Sequence, residues 1–363
     1  MIRDVLGLAG AMLLLAGLLP GASGAATPEG SRLATVALEE TKNDAESSIV
    51  SLRTIGPLGG QPRQLISARF EGRKGRVVPS PFYAPSWSPD GSMIAFVGYA
   101  GKARRIYLVS ADGSGVRAVP GTKEGADPVV SPDGHTIAFS RTRFRSHIDI
   151  KHLGRSRFYS STTTWLVDLA SGKSRRFTRW RNGLYNTPSA FSPDGSTLAL
   201  TKEDENLDGP RIVLAPVDGG GSAELVWLAA EPSFSPDGSQ IAFISYQDRD
   251  IVRAEENRDY PAGELYVMRT DGTAVRRLTR TDDVIESAPS WDPSGQRIGY
   301  LRVRADTSFV PTLGMLFPFG NALMQVNADG TCHKKVVSHK KVALYGAAWQ
   351  PGAGREAGRI ECS

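Results

Sequence analysis

One phrase recurs along this chain, and it restricts the possible folds more than any other feature of the sequence. A large apolar residue is followed by Ser-Pro-Asp-Gly and then by a short apolar run, first at residues 87–96. Related copies lie at 130–139, 191–200, 234–243 and 291–300. A degenerate sixth copy begins at Trp349 and runs into Ile360, where we expect its second strand. Self-similar units at intervals of about 40 to 60 residues are typical of propellers and other repeat folds.

The repeated phrase predicts a tight turn between two antiparallel strands. Proline fixes φ at the first central position, aspartate hydrogen bonds to the nearby backbone, and glycine accepts the positive φ. The apolar run that follows, such as Ile94–Phe96, fits a strand that is buried on both faces. We therefore assign the repeated aspartates a local backbone role rather than a catalytic one: Asp90, Asp133, Asp194 and Asp237.

A second phrase follows most copies of the first and predicts an outer hairpin. Its clearest copy, Glu264–Gly272, alternates apolar and polar residues, as a hairpin with one wet face does. Six inner hairpins are followed by only five outer ones, and the strands expected at 48–53 and 64–66 supply the missing pair. The sequence therefore predicts an all-β, six-bladed β-propeller of four-stranded blades, in which N-terminal strands complete the last blade and close the ring.

These two phrases resemble the TolB-type propeller repeat, a WD40-like repeat, over a domain at residues 47–363. Proteins of the TolB family act in the bacterial envelope and also carry an N-terminal α/β domain. Here we expect only a linker at 26–46, so the resemblance covers the propeller alone. It implies a repeat protein whose role is protein binding rather than catalysis.

The first 25 residues predict export. Arg3 precedes an apolar run, Val5–Leu19, and small residues at 22–26 supply a cleavage site. The run spans about 22 Å as a helix, which is less than the roughly 30 Å of a bilayer core, so we expect no transmembrane segment after cleavage. The protein is then periplasmic or secreted. In such a compartment Cys332 and Cys362 favour a disulfide, with two separate buried thiols as the alternative.

Composition and motifs favour binding over chemistry. A net charge of +5 and 40% hydrophobic residues exclude a disordered chain and do not fit a nucleic-acid binder. No G-x-S-x-G or H-E-x-x-H motif is present, and the five histidines are scattered. We therefore assign no catalytic residue and no required cofactor, and expect a monomeric module that binds an envelope or secreted protein or peptide. The alternative is a propeller lyase or hydrolase, acting on a saccharide or peptide in the central funnel.

Two long insertions between predicted strands are candidate partner-binding segments. The first, at 141–162, is basic and fits an anionic partner such as an acidic protein or a lipid head group, with a solvated loop as the alternative. The second, at 302–320, is apolar and forms either a binding patch or a cap over the central channel. The residues assigned to partner binding are Arg141, Arg143, Arg145, Lys151, Arg155, Arg157, Phe309, Leu313, Met315, Leu316, Phe317 and Phe319.

Residues 204–209 match the first half of a calcium-binding loop. Asp204, Asn206 and Asp208 alternate before a glycine, so three side-chain oxygens can surround one Ca²⁺. The twelfth position is Ala215, so the bidentate acid of such loops is missing, and an acidic β-turn is the alternative. Further acids, Glu286 among them, are expected in neighbouring loops of the same face.

Overall fold

The chain folds into β-strands joined by turns. The computed structural model describes residues 32–40, 47–56, 61–71, 83–100, 103–149, 155–204, 209–248, 251–254, 258–281, 284–304, 319–338, 342–351 and 359–362. No α-helix occurs in these ranges, and therefore none that is long and apolar enough to cross a bilayer. The all-β class that the sequence predicted is confirmed for this part of the chain, whereas the signal peptide expected at 1–25 lies outside it.

The strands follow the repeated phrases closely. Up to residue 176 they are β1 Leu33–Glu40, β2 Ser47–Ile55, β3 Arg63–Glu71, β4 Tyr83–Trp87, β5 Met93–Ala100, β6 Ala103–Ser110, β7 Arg117–Ala118, β8 Gly125–Val130, β9 Thr136–Asp149, β10 Arg155–Asp168 and β11 Ser174–Arg176. Beyond it they are β12 Leu184–Phe191, β13 Thr197–Asp204, β14 Arg211–Pro216, β15 Ala223–Trp227, β16 Ala229–Phe234, β17 Gln240–Ser245, β18 Ile251–Ala254, β19 Arg258–Pro261, β20 Glu264–Arg269, β21 Arg276–Arg277, β22 Val284–Trp291, β23 Arg297–Arg304, β24 Phe319–Gly320, β25 Ala322–Asn327, β26 Lys334–Ser338 and β27 Val342–Trp349. The predicted turns separate β4 from β5, β8 from β9, β12 from β13, and β16 from β17.

The sheets are those of a β-propeller, but they are not six separate sheets of four strands. Three sheets have four strands, in the orders β4-β5-β6-β7, β16-β17-β20-β21 and β22-β23-β25-β26. Strands β8 to β15 share one eight-stranded sheet, because a parallel bridge joins Thr162 of β10 to Tyr185 of β12. The remaining large sheet has five strands, in the order β24-β27-β1-β2-β3, and among the described strands β18 pairs with β19 alone.

The strands that precede the repeated turns lie side by side around a centre. In order, β4, β8, β12, β16, β22 and β27 each contact the next, and β27 contacts β4, so the contacts form a closed cycle. Neighbouring turns also touch, because a Cβ added to Gly134 would lie 3.8 Å from Cδ of Pro89, and one added to Gly195 would lie 3.7 Å from Cδ of Pro132. The proline of one turn therefore packs on the glycine of the next.

The N-terminal strands close the ring, although not in the predicted way. We expected a linker at 26–46 and a last inner strand near Ile360. Instead β1, which lies inside that supposed linker, pairs with both β27 and β2 and is the middle strand of the five-stranded sheet. Its residues Leu33, Ala34 and Val36 are fully buried, so this segment belongs to the core. The linker assignment is therefore wrong for Leu33–Glu40.

The backbone of Ile360 is held elsewhere, by hydrogen bonds to the side chain of Asn327. Its N–H donates to Asn327 Oδ1 (2.8 Å), and Asn327 Nδ2 donates to its carbonyl (3.0 Å). Both groups are thereby satisfied at the turn after β25 rather than in a sheet. This explains why the apolar residue near the C-terminal end does not form the predicted strand.

The hydrophobic core lies between the sheets. Phe96, Phe139, Phe243 and Tyr300 hold the third position of the repeated apolar run, and each is at most 1% exposed. The small residues before them are fully buried too, at Ala95, Ala138 and Ala242. Large and small side chains thus alternate along the second strand of each unit, which packs on both faces as the sequence predicted.

Candidate functional site

The repeated aspartates stabilise their own turns. In the first turn, Ser88 Oγ donates a hydrogen bond to Asp90 Oδ1 (2.5 Å), and the N–H of Ser92 donates to the same oxygen (3.0 Å). These bonds, with that of Ser88 first, lower the pKa of Asp90 to about 2. Serine hydroxyls lower the pKa of the equivalent carboxyls in the same way, at Asp133, Asp194 and Asp237. Their role is in the turn, as the sequence predicted.

Four innermost strands, β4, β8, β16 and β22, have a β-bulge three residues before their large apolar residue. The backbone there is left-handed although the residue is not glycine, with φ of 51° at Ala84, 48° at Asp127, 56° at Glu231 and 51° at Ala288. Gly346 holds the same position in β27, with φ of 69°. Left-handed backbone is uncommon and strained for residues with a Cβ. The bulge thus gives the inner strands one distinctive position, and two of them carry an acid there.

The first of these acids, Glu231, lies in a cluster with Glu203 and Tyr246. Its Oε2 accepts a hydrogen bond from the N–H of Ala288 (2.5 Å), and its own N–H donates to Thr201 Oγ1 (2.9 Å). The residue keeps partial exposure to solvent, yet the surrounding protein raises the pKa of its carboxyl to about 7. Burial raises the pKa of Glu203, and burial with both carboxyls raises that of Tyr246. This cluster can therefore hold a proton near neutral pH.

The second acid, Asp127, occupies the equivalent position on β8. Ser140 Oγ donates to its Oδ2 (2.6 Å), but desolvation outweighs this bond and raises the pKa of the carboxyl. No group of three or more His, Cys, Asp or Glu in the described part of the chain could hold a metal ion. Sequence reasoning missed both acids. Aligning the copies of the repeat shows that two of them carry an acid three residues before the large apolar residue, but it does not show that the carboxyl is desolvated there.

Another pair of acids lies between β20 and β22 and stabilises the packing of two sheets. Glu264 and Glu286 are fully buried, and Oγ1 of Thr279 is in hydrogen-bond contact with Oε2 of both. Arg277 forms an ion pair with Glu264 (3.1 Å), and Arg302 forms one with Glu286 (2.7 Å). We expected Glu286 in a loop of the same face as the calcium-like loop. That is wrong, because the residue lies on an innermost strand and its charge is paired inside the protein.

The basic insertion is a two-stranded hairpin rather than a loop. Strands β9 and β10 pair continuously from Thr136↔Asp168 to Asp149↔Arg155, so the backbone groups that each strand turns towards the other are satisfied. We call its outer part, residues 141–149 and 155–163, the basic arm. Five of the predicted partner-binding residues lie in its strands, namely Arg141, Arg143, Arg145, Arg155 and Arg157. The sixth, Lys151, lies outside the described residues.

The apolar insertion and the calcium loop are only partly described. Phe319 lies in β24, where it pairs with Tyr345 of β27. Phe309, Leu313, Met315, Leu316 and Phe317 lie outside the described residues. Asp204 is buried at the end of β13, whereas Asn206 and Asp208 lie outside the described residues. The apolar patch and the calcium site therefore stay predictions.

The two cysteines are joined, which is the alternative that the sequence favoured. Cys332 and Cys362 form a disulfide with their Cα atoms 4.9 Å apart. Arg359, close by in sequence, forms an ion pair with Asp329. The bond ties residues 359–362 to the turn between β25 and β26, beside the hydrogen bonds that hold Ile360.

Fold and repeat together define a β-propeller whose repeat resembles the TolB type. The chain is 25% identical over 305 residues to the Tol-Pal system protein TolB of Francisella tularensis, a match that covers 80% of this chain and 60% of that protein. It is 27% identical over 278 residues to an uncharacterised protein of Agrobacterium fabrum, covering 72% of this chain and 80% of the other. The sequence matches no protein-family model.

A solved structure agrees with this fold. The crystal structure of TolB from Acinetobacter baumannii matches with a TM-score of 0.59 and 21% identity, over 88% of this chain and 67% of that one. At this identity the likeness shows the fold alone. The chain thus resembles TolB proteins as a propeller, and it spans about 60% of the length of the Francisella relative.

Proposed function

We propose that this chain is an exported propeller that binds another protein at the bacterial cell envelope, without catalysis of its own. Its similarity to the Tol-Pal system protein TolB of Francisella tularensis supports this function. The leader-like sequence at 1–25 supports export. We also propose that the ring has six blades. The closed cycle of β4, β8, β12, β16, β22 and β27 supports this number, since each of these strands begins one set of four.

The observation that carries the binding function is the basic arm. A blade needs strands of about five or six residues, whereas β9 and β10 have 14 residues each. The extra length adds nothing to ring closure, and it carries exposed residues, with Phe144 75% exposed. Segments that depart from a repeated scaffold commonly carry its function. The arm therefore provides a contact surface that the fold itself does not require.

A pull-down from envelope extract of the source bacterium tests this function. Mature protein, from residue 26 onward, is compared with a variant in which residues 143–160 are replaced by a short Gly-Ser turn. The matched control shortens the β18–β19 hairpin in the same way. We expect a partner that is retained by the wild type and the control but lost by the arm variant. The proposal is contradicted if the arm variant retains the partner as well as the wild type does. It is also contradicted if none of the proteins captures a partner.

The second candidate function is an enzyme with its site among the inner strands. Glu231 favours it, because a carboxyl with a pKa of about 7 is suited to general acid–base catalysis at neutral pH. A saccharide and peptide substrate screen with the wild type and Glu231→Gln distinguishes the two candidates. Turnover that Glu231→Gln abolishes would establish the enzyme, and no turnover in either protein would leave binding as the function.

A further inference from the structure

The two strands of the basic arm pair with each other well beyond their pairing with β8 and β11. On one side β8 pairs with β9 only as far as Gly125↔Arg141. On the other, β11 pairs with β10 only at Trp165–Val167. Residues 142–149 of β9 therefore extend past the blade, and at about 3.4 Å per residue they reach roughly 27 Å beyond it.

The pairing register gives the arm one strongly basic face. Opposite residues of an antiparallel pair lie on the same face. One face therefore holds the pairs Arg141↔Thr163, Arg143↔Ser161, Arg145↔Tyr159, His147↔Arg157 and Asp149↔Arg155. The other holds hydroxyl and apolar residues, such as Phe144↔Ser160. The register thus assigns the positions of five arginines and one acid to the same face of the ribbon.

The arginine nearest the blade is used by the fold, and the next one is not. Arg141 donates from Nη2 to the carbonyl of Gly121 (2.5 Å) and from Nε to that of Lys123 (3.1 Å), and it lies over the ring of Trp165. Arg143 is exposed and makes no ion pair or hydrogen bond with any described residue. An exposed arginine offers a planar donor group that matches a carboxylate. The binding face therefore starts at Arg143.

The two edges of the arm differ. The N–H of Gly183 donates to the carbonyl of Ser160 (3.1 Å), and Tyr185 bridges to Thr162, so the edge of β10 is partly covered. Beyond Arg141, the edge of β9 has no partner strand among the described residues. An uncovered edge presents unpaired N–H and C=O groups, to which another chain can add as a strand.

We infer that the basic arm binds an extended acidic segment of a partner protein, which adds to β9 as a further strand and places carboxylates opposite Arg143 and Arg145. The inference rests on the proposed function and names its partner. Arginines at every second residue of a strand repeat at about 6.8 Å, and so do alternate side chains of an added strand. Directly opposite Cβ atoms are about 5 Å apart, within reach of an Arg–carboxylate pair.

A protein segment fits this surface better than a membrane or a nucleic acid does. Those anions would be attracted by the arginines, but they have no strand backbone to pair with the open edge of β9. Alternate basic positions, and an edge without a partner strand in the described part of the chain, occur on the same eight residues, 142–149. Only an extended peptide uses both.

Binding of short labelled peptides to the full mature chain tests the inference by fluorescence anisotropy. The probe alternates glutamate and threonine, and the control peptide has the same composition with its glutamates contiguous. We expect the alternating peptide to bind about tenfold more tightly or better, and less tightly as salt rises. R143E/R145E should weaken this binding at least about tenfold. The matched control, K334E/K335E, reverses two exposed lysines of β26 and should leave binding unchanged.

Backbone methylation separates strand addition from simple charge attraction. Two versions of the alternating peptide carry N-methyl groups along one edge or the other and keep every charge. Loss of binding by one version supports strand addition. Equal binding by both versions and by the control peptide overturns it. Arm-dependent binding of anionic phosphatidylglycerol vesicles, without peptide binding, also overturns it.

The peptide-binding test can fail while the proposed binding function stands, because the pull-down measures that function separately. If the pull-down retains a partner with R143E/R145E as well as with the wild type, the interaction function stands and this inference fails. If R143E/R145E loses the partner and the peptide, both stand. Near-ultraviolet circular dichroism of each variant verifies that it is folded.

Discussion

At the scale of single residues, two kinds of carboxyl respond to pH in opposite directions. The turn aspartates have lowered pKa values, because serine hydroxyls and backbone N–H groups donate to them. They contribute stability above their unfolded pKa, which is lost as pH falls through the folded value. Burial raises the pKa of Glu231 from 4.5 to about 7. The pH dependence of its contribution to stability is therefore opposite. This contribution is fully present below pH 4.5 and is lost as pH rises through 7.

Glu231→Gln is therefore expected to be more stable than the wild type at pH 8 and not at pH 4. Glutamine still accepts the hydrogen bond from Ala288, and it removes the cost of a charge in this environment. A pKa shift of this size corresponds to about 3 kcal/mol in the free energy of unfolding. Partial exposure of Glu231 reduces the expected gain in stability to about 1–2 kcal/mol. Urea unfolding at both pH values measures it.

The control for this prediction is Asp90→Asn, which removes a carboxylate that the fold favours. It should lower stability at neutral pH, and its effect should vanish towards pH 2. If the free energies of unfolding of the wild type and Glu231→Gln vary with pH in parallel, the raised pKa at Glu231 is contradicted.

The sequence could not identify Glu231, and the reason is physical. Its perturbed carboxyl depends on a left-handed bulge and on burial beside Glu203 of β13 and Tyr246, which follows β17. At the same bulge position the chain carries Ala84, Ala288 or Gly346 in other units, so no motif marks the acid. In contrast, the turn aspartates act on residues next to them in sequence, and local pattern is enough to assign their role.

At the scale of elements, the fifth repeated turn has aspartate and serine in the reverse order, as Asp-Pro-Ser-Gly instead of Ser-Pro-Asp-Gly. It also contains a buried ion pair. Asp292 stands where the other turns have serine, and its Oδ1 accepts from the N–H of Arg297 (2.9 Å). Its Oδ2 lies 3.2 Å from Arg297 Nε, and both side chains are buried. The guanidinium also lies over the ring of Trp349, 5.2 Å from its centre. This turn thus connects its own sheet to the last one.

Asp292→Ser should destabilise the protein by about 3–5 kcal/mol, because it leaves the Arg297 charge buried without its carboxylate. The triple variant with Ser294→Asp and Arg297→Thr reproduces the arrangement of Ser131, Asp133 and Thr136 in the second turn. It should regain most of the lost stability. Chemical denaturation followed by circular dichroism measures both. Equal losses in the single and triple variants would show that the buried pair is not the cause.

The sequence predicted some elements well and others poorly. The turns and the strands beside them, such as β4 and β5, follow from a local phrase with its own turn chemistry. The basic arm was expected to be a loop, because its charged strands lack apolar alternation and depend on pairing with each other. Strand β1 was missed because it precedes the first repeated phrase, although Leu33–Leu38 is largely apolar. Elements that depend on distant partners were the ones that pattern could not assign.

At the scale of the whole molecule, one strand joins the two ends of the chain. Strand β1 lies between β27 and β2, with Leu33 opposite both Trp349 and Ile55. Without it, β27 and β2 would each present an open edge, which invites pairing with other chains. The strand also buries Leu33, Ala34 and Val36 completely. Closure therefore depends on a segment that the repeat itself does not contain.

Removing residues 26–46 should lower the stability of the mature protein by about 5 kcal/mol, because burial of each large apolar side chain contributes about 1.5–3 kcal/mol. The melting temperature should fall by about 10 °C, and open edges should promote association. A synthetic peptide of residues 32–40 added in trans should restore most of the loss, because it can occupy the vacant place between β27 and β2. A scrambled peptide should not restore stability. Removal of residues 26–31 alone should leave the melting temperature unchanged. Unchanged melting of the longer deletion would mean that contacts between the innermost strands hold the ring without β1.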